Sequence, residues 1–144
     1  MLSKTNIFYR AAIMAALFLI CACGGGDDDG RRLGETIVGT WQRGDVTIEG
    51  MTELTPENYD LDQFVFYADG SYNGMVRKGS FLVKNADGET VLEGSYQCDN
   101  NTLKMESSQQ VIVAQVASFS DDTIQLRYVN ENYHVTISLT LKKL

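Results

Sequence analysis

The strongest constraint in this chain is a period of two at its C-terminal end. Ile124, Leu126 and Tyr128 alternate with Thr123, Gln125 and Arg127. Val135, Ile137, Leu139 and Leu141 then alternate with His134, Thr136, Ser138 and Thr140. Successive side chains of a strand point to opposite faces, so each segment is half core and half water, as in an antiparallel sheet with one dry side. A helix cannot use this pattern, because its apolar positions recur every three or four residues. From Thr36 onward helical periodicity is nearly absent. Short β-rich runs are separated by Asp69-Gly70, Ala86-Asp87-Gly88, Asp99-Asn100-Asn101, Ser120-Asp121-Asp122 and Asn130-Glu131-Asn132. Close turn spacing of this kind indicates a sandwich or barrel, and closure into a barrel removes exposed edges.

The spacing predicts strands at 36–43, 45–50, 62–68, 71–78, 80–85, 90–98, 102–106, 110–119, 123–129 and 133–143, some being halves of one bent strand. Thr55-Pro56 predicts a short helix or irregular loop at 52–60, since Thr caps a helical turn and Pro suits its first position. The hairpin around Asp69-Gly70 sets a register. A two-residue loop pairs Tyr67 with Tyr72. A three-residue loop, Ala68-Asp69-Gly70, pairs Phe66 with Tyr72 and gathers Phe64, Phe66, Tyr72 and Val76 on one face, away from Asn73 and Arg77. Only the second separates aromatics from charge, and it requires a positive φ at Gly70.

The N-terminus has a different character. Lys4 and Arg10 precede an uncharged run from Ala11 to Cys23, too short to anchor as a membrane span by itself. Basic, short apolar, then small is the order of a secretory signal. Ile20-Cys21-Ala22-Cys23 resembles the lipobox of bacterial lipoproteins. That resemblance implies cleavage before Cys23 and its acylation with palmitate-type chains; the alternative is a plain cleaved signal with Cys23 unmodified. Cys21 fits poorly behind the bulky Ile20. Three segments follow: a signal peptide at 1–22, a Gly/Asp-rich tether at 23–34 and a folded domain at 35–144. The tether, Gly24 to Arg32 with Asp27-Asp28-Asp29, has no core-forming residues. It reads either as a solvated linker or, by resemblance, as a surface-export signal of Gram-negative lipoproteins. Gly24 after Cys23 implies, by the same resemblance, outer-membrane rather than inner-membrane placement, periplasmic or surface-exposed.

Of the 144 residues, 12 are Lys or Arg and 19 are Asp or Glu. Residues 1–22 hold two of the basic and none of the acidic ones, so the mature chain has a net charge of −9. That charge opposes nucleic-acid binding and repels anionic surfaces, which leaves membrane attachment to lipid.

A second resemblance lies in the domain. Ile37-Val38-Gly39-Thr40-Trp41 is similar to the Gly-x-Trp signature of lipocalins, and Phe66-x-x-Asp69-Gly70-x-Tyr72 resembles bacterial lipocalin-like lipoprotein domains. The resemblance implies an all-β, antiparallel up-and-down barrel of about 8–10 strands, often enclosing a small apolar ligand. It also implies a basic residue near the end of the last strand lying across Trp41. Lys143 has the inward parity for this, whereas Arg127 has outward parity with Gln125. The chain lacks the lipocalin disulfide pattern and the C-terminal helix.

Candidate ligand contacts are Trp41, Phe64, Phe66, Tyr72, Tyr96 and Tyr128; the rival is that they fill a solid core. Two function classes therefore stand open. One is a lipid-anchored, monomeric binder of a small apolar or amphiphilic molecule. The other is a surface module with a filled core that binds protein or glycan. Catalysis, cofactors and metals have no support in the residue pattern. His134 is the only histidine and is expected on the wet side of the last strand. Cys98 is the only mature thiol left beside Cys23 and shares the parity of Leu92 and Tyr96, so it reads as buried and unreactive. There is no Gly-x-Ser-x-Gly elbow, and Asp121-Asp122 lacks calcium-loop spacing.

Overall fold

A computed structural model describes residues 30–50 and 53–144. The expected signal peptide, Cys23 and the first part of the expected tether lie outside these residues. Arg32–Leu144 form one compact unit. In it eight strands form a closed antiparallel barrel in which each strand pairs with its sequence neighbours and the last returns to the first. They are β1 (Gly39–Glu49), β2 (Gln63–Phe66), β3 (Arg77–Lys84), β4 (Thr90–Cys98), β5 (Thr102–Ser107), β6 (Val111–Phe119), β7 (Thr123–Asn130) and β8 (Val135–Lys143). A single helical turn, α1 (Leu33–Thr36), precedes β1, and a 3-10 turn at Pro56–Asn58 lies between β1 and β2.

Alternation holds most cleanly where it was clearest in sequence. β8 pairs with β7 over its whole length, Ile124 opposite Leu141 and Tyr128 opposite Ile137. These four are buried, while Gln125, Arg127 and Val129 are exposed. The two strands expected at 36–43 and 45–50 are one. Gly44-Asp45 does not end it but inserts a bulge between Arg43 and Val46 against β8, which bends β1 while pairing continues. The 3-10 turn forms as Thr55 predicts: its hydroxyl accepts from the Asn58 amide, and the Asn58 side chain accepts from the Thr55 amide.

The Asp69-Gly70 hairpin does not form. Phe66 pairs with Phe81, not Tyr72, and residues 67–76 make a long connection before β3. The turn chemistry sits at Asn73-Gly74 instead. The Asn73 carboxamide accepts from the Met75 and Val76 amides, Gly74 has a φ of 94°, and Tyr72 meets Arg77 in an isolated bridge. Gly70 does not have positive φ; a Cβ there would run into the Lys78 carbonyl, so close backbone approach is what requires glycine. Asp69 ties this connection down by accepting from both the Ser80 amide, at 2.7 Å, and the Ser80 hydroxyl. The expected inward face of β2 stands nonetheless: Phe64 and Phe66 are buried and Tyr67 is 44% exposed. The expected 71–78 and 80–85 strands reduce to β3, which runs straight through Gly79. His134 is exposed but lies in the β7–β8 turn, with a φ of 57°, rather than on β8.

Candidate functional site

β1 starts at the floor of the barrel and β8 ends there. Opposite Trp41 in the ladder stands Lys143 on one side and Phe64 on the other. The indole is fully buried, and its Nε1 donates to the Ile37 carbonyl at 2.8 Å. The Lys143 Nζ lies 5.1 Å from the indole centroid and donates to the Thr36 carbonyl at 2.6 Å. One ammonium thus covers the ring, as expected of Lys143, and also caps α1, which was not expected. Arg127, the rival, faces outward and pairs with Glu49 at 3.6 Å.

α1 plugs the floor, where the sequence predicts a strand from residue 36. Leu33 and Ile37, one helical turn apart, are both fully buried. That i, i+4 spacing was the available signal. The Leu33 amide donates to the Asn100 side chain at 2.8 Å, and the Arg77 Nε donates to the Gly34 carbonyl at 2.8 Å.

Tyr72, expected among the ligand contacts, belongs to this outer bracket. Its hydroxyl donates to Glu35 at 2.9 Å, and the Arg77 guanidinium lies 4.4 Å from its ring centroid. The other five candidates, Trp41, Phe64, Phe66, Tyr96 and Tyr128, do meet in the barrel interior. Phe66 and Tyr96 pack edge to face with centroids 5.0 Å apart, and the Tyr96 hydroxyl leaves the core to donate to the Tyr67 carbonyl at 2.9 Å.

The upper end is closed by Tyr59 and Leu61. The Tyr59 and Tyr128 hydroxyls are 2.6 Å apart. Burial raises both pKa values. Tyr59 is raised further by its buried partner, while Tyr128 is pushed up to about 12 despite its hydrogen bond with Tyr59. Beside them sits Arg43, which shares inward parity with Trp41. Its guanidinium carbon is 5.7 Å from the Tyr59 ring centroid and its NH2 group reaches Asp62 at 3.4 Å. Among the described residues its buried Nε has no hydrogen-bond partner. Arg43 and Tyr59 escaped the sequence reading because an arginine on an inward parity looks like a register error and a tyrosine in an irregular loop has no parity.

Between floor and mouth the inward apolar side chains pack into one buried cluster. Val46, Ile48, Val116 and Phe119 pack against this cluster while remaining partly exposed. An eight-stranded barrel is wide enough either to be filled by its own side chains or to hold one small ligand. A groove of about 480 Å³ runs over the outer wall past Val111, Val113, Arg127, Val129, Glu131 and Thr136. Val111, Val113 and Val129 are 49%, 56% and 55% exposed.

Cys98 is buried at the lower end of β4, where desolvation first and the neighbouring Asp99 second push its thiol up to about 12. A thiol so held is a poor nucleophile. His134 lies at the opposite end, so the two cannot act as a pair. Among the described residues no three His, Cys, Asp or Glu side chains cluster as a metal site, and no helix is long and apolar enough to cross a membrane.

Comparison with known proteins gives the fold. No protein-family model matches the chain, and no curated protein sequence matches it. Among solved structures it is similar to a de novo designed fluorescence-activating β-barrel, at 13% identity and a TM-score of 0.52, over 78% of this chain and 97% of that one. It is also similar to a redesigned β-barrel at 15% identity and a TM-score of 0.49, over 77% of this chain and 94% of that one.

Proposed function

We propose that this chain is a lipid-anchored lipoprotein of the bacterial outer membrane whose barrel is a non-catalytic interaction module working through its outer surface. The observation that supports the second half is the packed apolar cluster inside the barrel. Buried side chains sit at both ends, while three exposed valines, Val111, Val113 and Val129, share a groove on the outer wall. An exposed cluster of valines is an unusual use of a soluble surface and favours an interaction site. The first half rests on the lipobox-like Ile20-Cys21-Ala22-Cys23 and the Gly/Asp-rich tether. Several acyl chains hold a protein firmly, each buried CH₂ contributing about 0.8 kcal/mol. Replacing Cys23→Ser is expected to release a folded domain into soluble fractions; retention in membranes that need detergent would refute the anchor.

One observation favours a second reading, a small amphiphile at the barrel mouth. The unpartnered Nε of Arg43 is a hydrogen-bond donor without an acceptor beside two tyrosine hydroxyls. Asp62 already neutralises Arg43, so the head group such a site takes is a neutral acceptor rather than an anion. Titration with a neutral monoacylglycerol, followed by tyrosine fluorescence and repeated with Arg43→Met, separates this reading from the first.

A further inference from the structure

β6 gives Ile112 and Ala114 to the core, which leaves Val111 and Val113 on the wet face. β7 gives Leu126 and Tyr128 to the core and leaves Val129 outside. The ladder between the two strands stops at Gln115 opposite Arg127, although β6 begins at Val111 and β7 ends at Asn130. The outer groove lies along the stretch above that pair. It is an open space of about 480 Å³, with Val111 and Val113 on one side and Val129 and Glu131 on the other.

The charges around this groove are balanced, with one exception. On β5, Lys104 stands opposite Val113 and Glu106 opposite Val111, and the two pair with each other at 3.9 Å. On the far side Thr136 stands between Val129 and Glu49, and Glu49 pairs with Arg127 at 3.6 Å. The β5–β6 turn, Ser108-Gln109-Gln110, carries no charge. Lys142 lies at the lower end of β8, opposite Thr123. Glu131, at the upper rim, is exposed and has no ion pair among the described residues. It follows Val129 on the same outward parity, about 7 Å further along the chain.

We propose that this groove receives an extended apolar segment of a partner protein that carries one basic side chain. The apolar residues lie on Val111, Val113 and Val129, and the cation meets Glu131. A groove on the outer wall covers its occupant from one side only, which suits a segment of a larger partner. A single unpaired carboxylate beside an apolar surface of balanced charge selects a cation and repels an acidic segment. The proposal rests on the reading of this groove as the working surface and names what occupies it.

The test uses the full-length protein in nanodiscs of zwitterionic phospholipid and three acetylated, amidated peptides: Lys-Ala-Val-Ala-Val and its Gln and Glu counterparts at the first position. In an extended peptide the first, third and fifth side chains share one face, so the cation and both valines reach the groove together. The Lys peptide is expected to move the amide resonances of Val111, Val113 and Val129. It is also expected to bind about two- to fivefold more tightly than the Gln peptide at low salt. Glu131→Gln, or about 0.5 M salt, is expected to erase that preference. Equal binding of the Gln or Glu peptide with the groove amides moving would overturn the proposal and leave the groove as a working surface. A preference for Lys that survives Glu131→Gln would also overturn it. Groove amides unmoved by all three peptides would overturn both readings. Movement of these amides on raising the protein concentration alone would seat a second copy there and overturn the proposal.

Discussion

Lys143 lies with its ammonium 5.1 Å from the centre of the Trp41 ring and donates to the Thr36 carbonyl, joining the last strand to the plug that precedes the first. A cation over an indole contributes about 0.5–2 kcal/mol depending on desolvation. The charge-assisted bond to a helix-end carbonyl adds to this. Lys143→Met is therefore expected to destabilise the barrel by about 1–3 kcal/mol. Arg127→Met, which breaks only an exposed pair with Glu49, is expected to cost less than about 0.5 kcal/mol. Thermal unfolding of the two variants at equal salt checks the ranking.

The paired hydroxyls of Tyr59 and Tyr128 give a double-mutant test of the barrel mouth. Either single change to Phe leaves one buried hydroxyl without its partner, which costs about 1–3 kcal/mol. Removing both hydroxyls removes the unmet demand too. The double variant is expected to be less destabilised than the two single losses added together. Denaturant unfolding of all four proteins measures the coupling, and strict additivity would mean that the two groups do not bond in solution.

Burial of Cys98 and Tyr128 makes stability sensitive to alkali. Both have folded pKa values of about 12, against ordinary values of 9.0 and 10.0. Between those limits the unfolded chain has released protons that the folded chain retains. Stability is thus whole below about pH 9 and falls as pH rises toward 12. Cys98→Ala is expected to make this fall shallower, as seen in unfolding free energies measured from pH 8 to 11. The thiol itself is expected to react with a disulfide reagent only as fast as the barrel opens.

Asp69 is set to act at the acid end. Hydrogen bonds from Ser80 hold its carboxyl below the usual carboxylate value of 3.8. That contribution is present above the ordinary pKa and is lost as pH falls through the lowered one. Asp69→Ala is expected to free the 67–76 connection, seen as faster exchange of the Ser80 amide, while β7 and β8 stay unchanged.

The sequence carried more of the fold than of the site. β7 and β8 were legible because one face meets a core and the other meets water, and Trp41 and Lys143 followed from parity and resemblance. Asp69-Gly70 misled because its composition is that of a turn, while its actual roles are a tether to Ser80 and a close approach to Lys78. The hairpin signal at Asn73-Gly74 was present and shorter in range. Whether Trp41, Phe64, Phe66, Tyr96 and Tyr128 line a space or fill it depends on strand number and on the plugs. Leu33, Ile37, Tyr59 and Leu61 come from segments with no period of two. Tyr72 was grouped with the core only through a register that the structure replaces.

Native mass spectrometry of the protein purified from its own membrane tests the filled, lipid-anchored barrel most directly. The expected spectrum shows one acylated chain beginning at Cys23, with no further small molecule retained under gentle activation. A stoichiometric small molecule released on stronger activation would contradict the filled core and make the barrel a carrier.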